Sequence, residues 1–389
     1  MEAWPSAGRT FSTRRAFLAA GLALPFAALA ADEQLVPFAD YDPEYRADAQ
    51  DDHPRVKSFD LRKLDSPITP ASDFFTFHQT STLDLDAQAW RLRIGGLVKR
   101  PVELALSDLL KRDRREMLVT IECSGNTGDP QIMNGLVSTA VWSGVGLAAL
   151  LNECGVLPEA REAVLLGADV EQDPKFEAGG ASYVSPHGWS LFIQDAMAAG
   201  NLLAFAMNGR PLEPEHGFPL RLVMPGWYGM SQIKWLTRIE LIDWHYEGRH
   251  MARNYQSLRA LDGDLWLDSS ISRNRLKSVV ARVTRRRAGQ KFEYKIAGAA
   301  WGGPATINRI EVRIDGGEWR AATIEERAGD EAWVLWSMRW PEAAAGEHVI
   351  VSRAINARGE IQPTREEIAK LRVSNREDNS QWPRRVRIE

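Results

Sequence analysis

Cysteine is scarce: the 389 residues hold only Cys123 and Cys154. A single pair 31 positions apart excludes a disulfide scaffold, an iron–sulfur ferredoxin, a zinc ribbon and a C-x-x-C-H haem attachment, so no haem is expected. A basic excess is also missing. Lys and Arg number 48 against 52 Asp and Glu, a formal net charge of −4, and nothing marks a nucleic-acid binder. Gly-x-Ser-x-Gly, a Walker loop and His-Glu-x-x-His are all absent. No internal repeat or low-complexity tract interrupts the chain.

What is present reads as a globular protein. Apolar residues make up 44% and charged residues 26%, which is ordinary for a folded chain. The length allows two or three domains of roughly 150 residues. Tryptophan is frequent at 14, and large aromatic side chains suit deep pockets as well as cores. The N-terminus runs Ser12-Thr13-Arg14-Arg15-Ala16-Phe17-Leu18 and stays apolar to Ala30, the pattern of a twin-arginine export signal. Ala28-Leu29-Ala30 offers the small-residue cleavage site. The apolar run Ala16 to Ala31 is 16 residues and contains Pro25, short of the ~20 residues a membrane span needs. Residues 1–30 are therefore expected to be a signal peptide and the mature protein periplasmic, without membrane insertion. Cleavage would leave a net charge of −6.

After a polar, extended arm over 31–70, short strands alternate with helices. Trp90-Arg91-Leu92-Arg93-Ile94 alternates like a strand and turns at Gly95-Gly96. A helix is predicted over Leu106 to Arg112 with Ser107 as its cap, and another over Val145 to Cys154 before Gly155. Met117 to Ile121 reads as a buried strand that ends at Cys123. This domain, 71–260, is predicted to be α+β. From 261 to 389 only short alternating strands follow, with a hairpin turn at Asp315-Gly316-Gly317-Glu318. That stretch reads as an immunoglobulin-like β-sandwich without the cysteine pair of antibody domains.

Two segments carry chemistry-bearing residues. Cys123 sits in Thr120-Ile121-Glu122-Cys123-Ser124-Gly125-Asn126, at a strand's C-terminal end, where ligand residues gather in open sheets. The Ser-Gly-Asn turn is expected to expose the thiol. His216-Gly217-Phe218-Pro219-Leu220-Arg221 places a histidine and an arginine five apart across a tight turn, suited to one anion. Beyond Pro225-Gly226, Lys234 is predicted to point away from Ile233 on a strand and toward a ligand.

These segments, with Met207-Asn208-Gly209-Arg210-Pro211-Leu212 and Lys234-Trp235-Leu236, resemble the sulfite oxidase family of molybdenum-cofactor enzymes from about Phe74 to Pro363. The resemblance implies a sulfite-oxidase-type molybdopterin-binding domain followed by an immunoglobulin-like dimerisation domain. It also implies one molybdenum-molybdopterin per chain, with Cys123 as the protein's thiolate to the metal. A soft thiolate suits such a metal. Phe75, Thr76, Phe77, His78 and Gln79 match the loop covering the pterin. Asp169, His216, Arg221, Gln232, Ile233 and Lys234 match pterin-contacting positions, and Tyr255 matches the family's active-site tyrosine.

The implied activity is two-electron oxo transfer: oxidation of sulfite or a related sulfur compound, with electrons passing to an external cytochrome c and the enzyme a homodimer. Three expected arginines are replaced, by Phe77 in the covering loop, by Gly128 after the Cys turn and by Val334 in the β domain. Arg253 and His250 are the candidate substitutes. Fewer cations favour, as an alternative, reduction of an S-oxide or N-oxide. A cysteine hydrolase using Cys123 and His216 is the reading from a different enzyme class.

Overall fold

The computed structural model describes residues 32–40 and 56–389 apart from 131, 179–180, 263, 342 and 374–375. The twin-arginine segment lies outside the described residues. Among them, no helix is long and apolar enough to cross a membrane.

Two five-stranded sheets build the first domain. One contains Arg115–Glu122, Val137–Gly146, Leu202–Met207, Arg210–Pro211 and Arg221–Val223. Its central strand Leu202–Met207 is buried along its whole length, and that continuous apolar run is what a strand covered on both faces requires. The other sheet contains Leu92–Gly96, Val102–Leu104, Glu162–Ala178, Ala181–Phe192 and Leu236–Ile242. Helices are few and short. Leu147–Cys154 buries Leu147, Leu150, Leu151 and Cys154, one face at helical spacing, and ends on Gly155 at φ 69°. The predicted start of this helix at Val145 is two residues early, because the preceding strand continues to Gly146. Leu106–Leu110 starts two residues before a Ser107 cap would allow, since the Asp108 carboxylate accepts from the Ala105 N–H at 3.0 Å. The domain is therefore mostly β with short helices.

The second domain packs two sheets face to face around Val280, Val283, Ile296, Ile310, Val312, Trp336, Ile350 and Val386. Part of the N-terminal arm belongs to it: Glu33–Val36 pairs antiparallel with Lys277–Ala288. Sequence pattern does not reveal this pairing, because a four-residue edge strand carries too little periodicity. The helix Arg365–Leu371 interrupts the expected all-strand pattern. Its signal is a capping box, in which the Thr364 hydroxyl accepts from Glu367 N–H at 3.2 Å and Glu367 accepts in return from Thr364 N–H at 2.7 Å.

Candidate active site

One cavity of about 70 Å³ gathers most of the site residues expected from sequence. Phe75, Thr76, Phe77, His78 and Gln79 line it, together with Cys123, Asp169, His216, Arg221, Gln232, Lys234 and Tyr255. Thr76–Phe77 is tied down by antiparallel pairing with Val56–Lys57.

Cys123 follows the strand Arg115–Glu122, and its N–H donates to the Leu136 carbonyl at 2.9 Å. Asn126 N–H closes the turn on the Cys123 carbonyl at 3.0 Å. The turn does not expose the thiol as expected; Cys123 is only 6% exposed and faces the cavity wall. Burial pushes the thiol up in pKa, while a backbone N–H bond at Gly125 and the nearby Arg376 charge pull it down. Such a thiol becomes a thiolate readily only when a cation or metal takes the charge.

The basic end is crowded. Lys234 Nζ donates to the carbonyls of Phe77 (3.1 Å) and Glu215 (3.2 Å) and lies 2.5 Å from His78 Nδ1. When Lys234 is charged it can only donate here, which leaves His78 Nδ1 unprotonated. His216 Nε2 faces the Ala71 carbonyl at 3.3 Å, and Arg221 donates to the His216 carbonyl at 3.1 Å. Burial, and then repulsion by neighbouring cations, lowers both histidines to about 3. Burial lowers Arg221 to about 9, and it drives Lys234 well below its usual value. Lys234 sits on a bend and not on a strand, which begins at Leu236. It reaches the cavity because Trp235, at φ 47°, reverses the chain.

Two basic side chains held this close, Arg221 and Lys234, beside two histidines that burial keeps neutral, are costly unless an anion joins them. A phosphate on a pterin supplies that charge, and Cys123 in the same cavity supplies a soft ligand, so the residues present fit a molybdenum-pterin group. The histidines lead to a prediction for cofactor-free protein. Their folded pKa values, about 3, lie below the ~6.5 of an unfolded chain, so they contribute stability above pH ~6.5 that is lost as pH falls toward ~3. Its melting temperature should fall steadily with acidification through that window. Bound phosphate favours histidinium and should flatten the profile, which calorimetry of both forms would measure.

Some expected residues play other parts. Gln232 lines the cavity, but its amide accepts from Met224 N–H at 3.1 Å and donates to the Trp227 carbonyl at 2.7 Å, bracing the loop. Ile233 packs in the core and puts no side chain into the cavity. Cys123 and His216 share no hydrogen bond, and His216 is turned to Ala71, so a hydrolase dyad is not assembled.

Phe77 lines the cavity, but Gly128 and Val334 do not. Gly128 lies under the C-terminal segment: a Cβ there would fall 2.2 Å from the Trp382 ring, and its carbonyl accepts from Arg384 at 3.0 Å. Val334 is buried in a strand opposite Ala300. Neither Arg253 nor His250 lines the cavity, and Arg253 is exposed.

Arg376, which no sequence motif marks, stands beside Tyr255 behind the cavity's lining. Its guanidinium stacks 4.5 Å from the centre of the Tyr255 ring, and its Nε donates to the Asn254 carbonyl at 3.1 Å. Arg376 also approaches the Cys turn: a Cβ added at Gly125, two residues past Cys123, would lie 3.7 Å from its guanidinium. Gln79 donates its amide to the Tyr255 hydroxyl. His187, also unmarked in the sequence, completes this wall beside Met230.

Residues 78–250 match the oxidoreductase molybdopterin binding domain family, and residues 264–386 match the Mo-co oxidoreductase dimerisation domain family. Human mitochondrial sulfite oxidase is 32% identical over 321 residues, covering 76% of this chain and 57% of that protein. Chicken sulfite oxidase is 30% identical, covering 76% of this chain and 68% of that protein. A barley nitrate reductase is 29% identical over 70% of this chain but only 34% of its own length. The chain thus spans little more than half of the mammalian relatives. Among solved structures, the sulfane dehydrogenase SoxCD from Paracoccus pantotrophus superposes with a TM-score of 0.73 at 26% identity, over 100% of this chain and 98% of that one. With the cavity's thiol and cation cluster, these matches place the chain in the sulfite oxidase family of molybdopterin oxidoreductases.

Proposed function

We propose that this enzyme oxidises a small sulfur compound at a molybdenum-pterin centre and passes the electrons to an external cytochrome c. The observation that carries this reading is the shared cavity: a buried cysteine, buried His78, His216 and Arg221, and half-buried Lys234 open onto the same space. The bound group would supply two-electron redox chemistry. Cys123 would ligate the metal, and the basic cluster with Asp169 would orient the pterin and its phosphate. Arg376 and Tyr255 would face the substrate, the arginine attracting an anionic sulfur group and the hydroxyl, aligned by Gln79, bonding to its oxygen. Phe74 and Phe75, stacked with ring centres 5.4 Å apart, form one wall of the cavity. The resemblance to a sulfane dehydrogenase supports a sulfur substrate. Phe77 favours a second reading, reduction of an S-oxide or N-oxide, because an aromatic wall suits a neutral substrate.

The twin-arginine pattern supports a periplasmic enzyme exported in folded form, and the β-sandwich serves as an immunoglobulin-like dimerisation module. Sedimentation at micromolar concentration should give about twice the 43.5 kDa chain mass, less the signal peptide; a persistent monomer contradicts the dimer. Metal analysis of the purified protein should give one molybdenum per chain. Sulfite, thiosulfate and persulfide with cytochrome c, against sulfoxides with a reduced dye, should show turnover in the oxidative direction. A metal-free active protein, or turnover only with sulfoxides, rules the reading out.

A further inference from the structure

The turn that carries Cys123 is held from behind by the second domain. Glu122, 1% exposed, and Lys277, fully buried, form an ion pair at 3.1 Å. Lys277 opens the strand Lys277–Ala288, so the pair joins the two domains. Both groups are saturated. Lys277 Nζ also donates to the carbonyls of Asn126 (2.8 Å) and Asp378 (2.7 Å). The Glu122 carboxylate accepts from the Trp301 indole at 2.9 Å and from the Asn126 amide at 3.1 Å. Glu377 N–H donates to the Ser124 carbonyl at 2.7 Å. The carbonyls of Ser124 and Asn126, in the turn that follows Cys123, are thus both held by groups from beyond the first domain.

A buried, fully bonded ion pair is a poor device for stability, since apolar residues of similar volume commonly replace one without loss. Its geometry instead fixes the direction of a turn and places two opposite charges behind one sulfur. We propose that Glu122 is a positioning residue for Cys123, held by Lys277 and Trp301, so that the domain associated with dimerisation also forms the back wall of the metal site. The inference rests on the reading of Cys123 as the metal's thiolate.

The test uses full-length holoenzyme and compares wild type with Glu122→Met/Lys277→Met and with Trp301→Phe, which keeps the ion pair. Melting temperature, molybdenum and pterin content, the visible sulfur-to-metal absorption, kcat and KM are measured together. The double variant should melt below wild type, because the Trp301 indole, the Asn126 amide and the Asn126 and Asp378 carbonyls lose their partners, and where folded it should retain metal and pterin yet show a shifted absorption band. Its kcat should fall on the order of 10²-fold, the scale for a misplaced reacting group. KM should stay within about 2-fold, since the substrate's own contacts are untouched. Trp301→Phe should shift the band the same way by less. A wild-type band and kcat in the folded double variant overturns the proposal. If the double variant does not fold, an unchanged band and kcat in Trp301→Phe overturns it. A Cys123→Ser variant that binds metal and pterin and keeps the wild-type band defeats instead the thiolate reading beneath it.

Discussion

Cys123→Ser should give a folded protein that still binds pterin but has lost turnover by on the order of 10³-fold or more, about 4 kcal/mol of transition-state stabilisation. The thiol stands at the end of a rigid strand, 6% exposed, with its N–H and carbonyl both bonded into the turn. Serine fits that space and keeps those backbone bonds, so the fold should lose little. What changes is the donor: a hard hydroxyl replaces a soft sulfur and does not give up its proton as readily. Pterin retention follows from the basic cluster, which does not depend on the sulfur. Activity, pterin fluorescence after release and molybdenum content should be read on the same sample. Turnover near the wild-type value would remove Cys123 from the metal's ligands.

Arg376→Met should act mainly on KM for an anionic sulfur substrate. A charge-assisted hydrogen bond contributes roughly 1.5–3 kcal/mol, which corresponds to a rise of about 10- to 150-fold. Methionine keeps an apolar stem against the Tyr255 ring, so the tyrosine should hold its place and kcat should change less than KM. Phe77→Arg should act in the opposite direction and lower the sulfite KM, because it restores a cation to a lining position. Steady-state kinetics with sulfite at fixed ionic strength checks both. An unchanged KM in Arg376→Met would show that the arginine only supports Tyr255 and does not meet the substrate.

Most of the lining is legible in the sequence, for a local reason. The covering loop, the Cys turn and the segment His216 to Lys234 each keep their functional residues within a few positions of one another, so a contiguous motif records them. Tyr255 is found by its distance from Lys234, and Asp169 by the family match at Gly167-Ala168-Asp169. Sequence reasoning fails where proximity in space comes from separate parts of the chain. The resemblance puts an arginine where Gly128 stands after the Cys turn, but there the chain leaves the cavity and packs under Trp382. Val334 lies on a recognisable strand, yet a strand's period cannot say which sheet end meets another domain. Arg376 lies 253 positions from Cys123 in a polar tail with no periodicity, and only the docking of that tail beside Tyr255 reveals it.

The sequence by itself determined the cofactor class and the two-domain order, and it supplied the thiol and the basic groups. These depend on residue identity and short spacing, which survive without coordinates. The tertiary structure decided three other matters. It set the protonation of the site, because His78 and His216 are lowered only by being buried beside Lys234 and Arg221. It chose Arg376 as the cation over Tyr255. It also joined Glu122 to Lys277, 155 positions apart, behind the sulfur. Electrostatic energy depends on distance and on exclusion of water, and neither quantity exists until the chain has folded.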